Sequence, residues 1–155
     1  MYKNILVPHA GTSAGNKALD HAREMGKKHD SSVTILHIVE HVPIPPSIGF
    51  SGERKKWAKE LQASRRELKM EMDKKLTRQA GDLKKDNIPV FVKVIHGYPD
   101  EEIIRMANEF DYDLVIMAKR RKLPGLKAIL QLGSVSRKVL EKIHCPVMLI
   151  DGEQK

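Results

Sequence analysis

Residues Asp113–Ser136 read DLVIMAKRRKLPGLKAILQLGSVS, and the changes of character along this stretch decide the fold class. Leu114–Ala118 is a short apolar run of the kind that forms a buried strand. Four consecutive cations follow, Lys119, Arg120, Arg121 and Lys122, and then a Pro124-Gly125 step. Gly133-Ser134 opens a segment with helical periodicity. A strand that leads through a basic loop to a helix N-terminus is how α/β proteins receive anionic ligands. The first N–H groups of the helix lack partners, and the helix dipole is positive there.

The same alternation runs through the rest of the chain. Tyr2–Pro8 reads as a strand around Ile5-Leu6-Val7. The turn His9–Ser13 holds Gly11 and two hydroxyls, Thr12 and Ser13, either of which can cap the helix that continues to about His29. Ala18, Leu19, Ala22 and Met25 give that helix an apolar stripe narrow enough to lie close to a sheet. Ser32–Val39 is a second strand, so the first forty residues form a βαβ unit with parallel pairing. Glu40–Gly52, with Pro43, Pro45 and Pro46, is expected to be a surface loop. Glu53–Asp86 is helical, with Trp57, Leu61, Leu68, Met72, Leu76 and Leu83 along one face. Pro89–Ile95, Tyr112–Ala118 and Pro146–Ile150 are further strands, and Asp100–Glu109 (with Pro99 in its first turn) and Gly133–Ile143 are further helices. Asp151–Lys155 is a polar tail. Five strands alternating with four helices, without internal repeat or linker, predict an α/β doubly wound sandwich with a five-stranded, mostly parallel sheet, as one domain over residues 1–155.

Composition narrows the chemistry. The chain has 155 residues and a net charge of +8, and the excess lies in two places, Glu53–Asp86 and Ala118–Leu132. That charge suggests an anionic partner. The long helix interleaves acids with its cations and has Trp57 as its one aromatic, so nucleic acid is not the expected partner and a solvated face is. Cys145 is the single cysteine, which excludes an intrachain disulfide and a cysteine metal cluster. The absence of a long apolar run or signal-like start points to the cytoplasm, with no membrane partner. His21, His29, His41, His96 and His144 show no metal-building spacing, and no Ser/His/Asp set can be assembled. The expectation is therefore no catalytic residue and no metal site. His37, among apolar strand neighbours, reads as a core histidine, and Cys145 as a small buried hydrophobe. His9 reads as a partly exposed turn residue, with a ligand contact or acid–base role as the alternative.

The chain resembles a universal stress protein over nearly its full length. The resemblance is carried by NILVP and the turn Gly11–Ser13, by TILHIVE (Thr34–Glu40) and by GYPDEEII (Gly97–Ile104). DLVIMA (Asp113–Ala118), LGSVS (Leu132–Ser136) and CPVMLI (Cys145–Ile150) complete it. The resemblance implies a strand order of 3-2-1-4-5, a cleft where strands one and four end, and a homodimer joined through the last strand, Pro146–Ile150.

One branch of that family binds ATP through G-x2-G-x9-G-[ST] after strand four. Here the leading glycines fall on Ala118 and Arg121 counted from the strand, or on Arg120 and Leu123 counted back from Gly133, so only Gly133-Ser134 remains. The acid such relatives carry two residues beyond the first-strand proline is Ala10. The resemblance implies a cleft of Pro8, His9, Ala10, Ile38, Met117, Ala118, Lys119, Arg120, Arg121, Gly133, Ser134, Val135 and Ser136. Pro8, Ile38 and Met117 would meet adenine and ribose; Gly133–Ser136 would meet phosphates. Core packing is the plainer role for Met117, and Ser134 is expected to cap the last helix. Lys119–Lys122 could hold phosphate with side chains in place of main chain, or be a solvated loop. The functional expectation is a regulatory or protective stress-response module, with an unidentified protein partner, in which ATP binding, with magnesium, is weakened, altered or lost and an anion site remains. The alternatives are an ATP-binding protein with slow ATPase or nucleotidyl-transfer activity, and a basic protein associated with nucleic acid.

Overall fold

The computed structural model describes residues 1–41, 43, 52–119 and 133–151. Outside that description lie most of the Pro-rich stretch, Arg120, Arg121, Lys122, the Pro124-Gly125 step and all but the first residue of the tail.

Five strands form one sheet: β1 (Asn4–Pro8), β2 (Ser32–Glu40), β3 (Val90–Gly97), β4 (Leu114–Lys119) and β5 (Val147–Asp151). Their order is β3-β2-β1-β4-β5, as the resemblance implied, and every pairing is parallel. A parallel sheet needs a crossover on one face or the other between successive strands, so both faces end up covered. That explains why Ile5, Leu6 and Val7 are all fully buried in an unbroken apolar run. Ile5 and Val7 point to one side, where α1 (Ser13–His29) and α2 (Gly52–Lys85) supply Ala18, Leu19, Leu76, Ala80 and Leu83. Leu6 and Leu36 point to the other, where α3 (Pro99–Glu109) and α4 (Ser134–Lys142) supply Ile103, Met106, Ala107 and Val139. Cys145 is half-buried against this second cluster, and burial raises its thiol above the usual pKa. No described helix is long and apolar enough to cross a membrane.

Local chemistry sets the element ends. Of the two candidate caps, Thr12 takes the role, accepting the Gly15 N–H at 3.2 Å. α1 stops where Asp30 enters the left-handed region at φ 51° and Ser31 N–H returns to Gly26 O at 3.1 Å. The Asp113 carboxylate accepts the N–H groups of Lys3 at 2.6 Å and Asn4 at 3.1 Å, which fastens the start of β1 to the start of β4. Asp86, just past α2, pairs with Arg23 and, at 3.0 Å, with Lys27, and its pKa falls to about 2.

The apolar face of the long helix is not all core. α2 has 34 residues, which at 1.5 Å each is about 51 Å. β3, beside it, has 8 residues and spans only about 26 Å. The helix therefore outruns the sheet: Leu76, Ala80 and Leu83 are buried, whereas Trp57 and Leu68 are 44% and 50% exposed. Leu76→Ala should cost about 2–5 kcal/mol, and Trp57→Ala should stay within about 0.5 kcal/mol, as read from urea denaturation midpoints. Equal losses would mean that the first half of α2 packs against something in solution.

Candidate functional site

In the order 3-2-1-4-5, the chain leaves β1 toward one face of the sheet and reaches β4 from the other. Among the described residues the C-terminal ends of these two neighbours are thus left uncovered, and a crevice forms between them. A cleft of about 1230 Å³ occupies that position, large enough for a nucleotide-sized ligand.

Its first wall is built around His9. The His9 N–H continues the β1–β2 ladder, donating to Leu36 O at 2.8 Å. Its side chain then turns inward and is 2% exposed, not the partly exposed turn residue that the sequence suggested. The ring fits because the next helix offers no side chain beneath it: a Cβ on Gly15 would sit 3.0 Å from Cδ2, Cε1 and Nε2 of His9. Both ring nitrogens are engaged. Nδ1 lies 3.0 Å from the Gly11 N–H, and Nε2 lies 2.9 Å from Asn16 Oδ1, which also accepts from Gln79 of α2 at 2.8 Å. Burial, ahead of the neighbouring His37 and Lys75 charges, lowers the His9 pKa, against the Asn16 hydrogen bond that raises it. Gly11 has φ 77°, a conformation that favours glycine, and its carbonyl accepts from Lys75 Nζ at 2.9 Å.

The second wall comes from β4 and α4. Lys119 is the last residue of β4, aligned with Asp151 of β5, and its Nζ lies 3.5 Å from the Asp151 carboxylate. Gly133 is the N-cap of α4, and no side chain caps that helix. Ser134 is therefore the first helical residue and not the cap that the sequence suggested. Val135 and the buried Ser136 reach the cleft wall.

A sequence model of the universal stress protein family matches residues 1–151. The chain belongs to the universal stress protein family. Universal stress protein MJ0577 of Methanocaldococcus jannaschii is 32% identical over 97% of this chain and 95% of its own length. A solved structure of MJ0577 superimposes with a TM-score of 0.68, at 27% identity, covering 100% of this chain and 99% of that one. Universal stress protein MJ0531 of the same organism is 28% identical, over 100% of this chain and 85% of that protein. Two more distant structures share the fold at a TM-score of 0.62. One is a universal stress protein in complex with cAMP, 18% identical over 98% of both chains. The other is a family member from Arabidopsis thaliana with AMP bound, 13% identical over 96% of this chain and 91% of that one.

In this universal stress protein the cleft brings together Pro8, His9, Ala10 and Ile38 from one side. Met117, Ala118, Lys119, Val135 and Ser136 meet them from the other. Met117 lines the cleft, is 5% exposed and packs in the core, the plainer of its two roles. Gly133 and Ser134, at the α4 start, are not among the residues that line the cleft, and Arg120 and Arg121 lie outside the described residues. Several lining residues escaped the sequence reading. His37, read as core, lines the cleft while its Nδ1–H donates to His9 O at 2.7 Å. Lys17 lies one turn beyond Ser13, so helical spacing could have found it. Glu40 continues the period-two face of Leu36 and Ile38, so strand alternation could have found it too.

The arrangement sets Lys17 and Lys119 beside an apolar wall. His9 is not set to take a proton from a substrate, because doing so would sacrifice one of its structural bonds. Among the described residues no three His, Cys, Asp or Glu side chains gather as a metal-holding group.

The His9–Gly15 contact reverses a familiar rule. Replacing a helical glycine with alanine ordinarily adds about 0.5–1 kcal/mol of stability. Gly15→Ala should instead cost about 1–3 kcal/mol, because the new methyl overpacks the ring. In a His9→Ala background the same change should be neutral or stabilising. Additive denaturation midpoints for the two substitutions would rule out the contact as the cause.

Proposed function

We propose that this universal stress protein binds an adenine nucleotide in the cleft and serves as a regulatory or protective module in a stress response, without turning the nucleotide over. The observation that carries this reading is the start of α4. That helix begins without a side-chain cap, and its first turn contributes Val135 and Ser136 to the cleft wall. An anion there meets the positive end of the helix and its free N–H groups. Met117, Ile38 and Pro8 provide the apolar surface for adenine and ribose. Phosphates rest on Gly133–Ser136, with Lys119, Arg120 and Arg121 replacing the main-chain contacts of the missing glycines.

Two family structures that hold AMP and cAMP support the ligand class. The Lys119–Asp151 pair is no obstacle: a partly exposed surface pair of this kind is worth at most about 1 kcal/mol, so a phosphate can compete for Lys119. Glu40 and Asp151, the acids of the described wall, are the groups that could hold a magnesium ion carried with ATP, since Ala10 offers none. The reading includes a homodimer through β5, whose Val147, Met148 and Leu149 are only partly buried in the isolated chain. Equilibrium sedimentation should then give twice the 17.6 kDa chain mass, and a monomer at every concentration would remove the dimer.

Denaturing freshly purified protein should release an adenine nucleotide, identified by chromatography and mass spectrometry. Calorimetry with ATP, AMP and cyclic AMP should show affinity that falls as salt rises, because exposed cations are screened. Lys119→Glu should weaken binding at least tenfold, about 1.4 kcal/mol. No released nucleotide, and no heat from any of the three at millimolar concentration, would sink the reading.

A further inference from the structure

The bonding of His9 fixes its protonation state by geometry. A backbone N–H can only donate, so the Gly11 N–H at 3.0 Å requires a lone pair on Nδ1. The hydrogen therefore sits on Nε2 and is donated to Asn16 Oδ1. A second proton on this ring would place an N–H of His9 directly against the N–H of Gly11.

The segment held in this way lines the cleft. Ala10, Thr12, Ser13 and Ala14 all face it, and Gly11 is the pivot of that segment. The pivot is also tied to α2 through Lys75, and Met72 packs against it. We infer that His9 is a positioning residue for the cleft: its neutral ring fastens Gly11, and protonation releases the rim from Gly11 to Ala14 and weakens ligand binding. The effect on the ligand rests on the nucleotide reading above; the effect on the rim does not.

The surroundings favour the neutral ring from every side that packs on it. α1 presents Asn16, an amide that accepts a hydrogen bond without supplying a negative charge. α2 presents Gln79 through Asn16, and Lys75, a cation. β2 presents His37, whose own charge would add to the repulsion. Among the described residues no carboxylate bonds to the ring. The direction follows. The His9 pKa is lowered from 6.5, so the rim is fastened at neutral pH and is released only as pH falls below that value. A ligand that requires the fastened rim then loses affinity on acidification, approaching tenfold per pH unit below the midpoint.

The test follows the His9 ring and the Gly11 amide by NMR across about pH 5–8, in the unliganded protein and in Asn16→Asp. Asn16→Asp keeps the shape of the acceptor and adds the missing negative charge. It should raise the His9 midpoint by about one unit or more. The ring and the Gly11 amide should change together, and both should move up in the variant. Cyclic AMP, whose phosphodiester keeps one charge throughout this range, is the ligand probe; its affinity should break at the same midpoint in each protein. A ring that titrates while the Gly11 amide stays still overturns the proposal. So does a midpoint that Asn16→Asp leaves unmoved, or a ring that remains neutral down to acid unfolding in both proteins. Failure of cyclic AMP to bind at pH 7.5 would count against the nucleotide reading alone, because the NMR curves decide the role of His9 without ligand.

Discussion

A parallel strand cannot be joined to its neighbour by a tight turn; the chain must travel back across one face of the sheet, and the crossover is right-handed. Everything in this molecule depends on the point where that travel changes sides. β1 lies between β2 and β4, with its outgoing helix on one face and the incoming α3 on the other. Among the described residues, no crossover covers the strand ends at that junction. The opening is therefore a topological consequence, and the side chains around it decide only what it can hold.

The elements were largely legible in the chain because their causes are local. The run Ile5-Leu6-Val7, the β-branched Ser32–Val39 and the proline that starts α3 each sit within a few residues of the structure they specify. The place of the cleft was legible in outline, since it lies at strand ends and beside the first turn of α4. What stayed hidden was non-local. His9 is buried because Gly15 leaves room for its ring and because Gln79, on the second helix, shares the Asn16 acceptor. Nothing in the turn His9–Ser13 announces either partner. The exposed half of α2 was hidden for a different reason: helical spacing says which residues share a face, and says nothing of how far the sheet beneath extends.

Glycine and a cation hold an anion in different ways. Glycine-rich loops bring main-chain N–H groups close to phosphate at fixed geometry. Lysine and arginine reach from a distance on flexible stems and work mainly through charge. Lys119, which ends β4, already leans on Asp151, so its charge is shared with the edge strand. The cleft is in this way connected to β5, one of the two edge strands of the sheet.

The clasp between Asp113 and the backbone of Lys3 and Asn4 spans 110 and 109 residues of sequence. On a ribosome that adds about 5–20 residues per second, the start of β1 waits on the order of 5–20 s before its β4 neighbour is made. β2 becomes available far sooner, so the β1–β2 half can form while the β4 side of β1 is still an open apolar edge. That edge is the nascent chain's point of greatest exposure to mispairing. The cleft, whose two walls are the two halves, cannot form until β4 has been made.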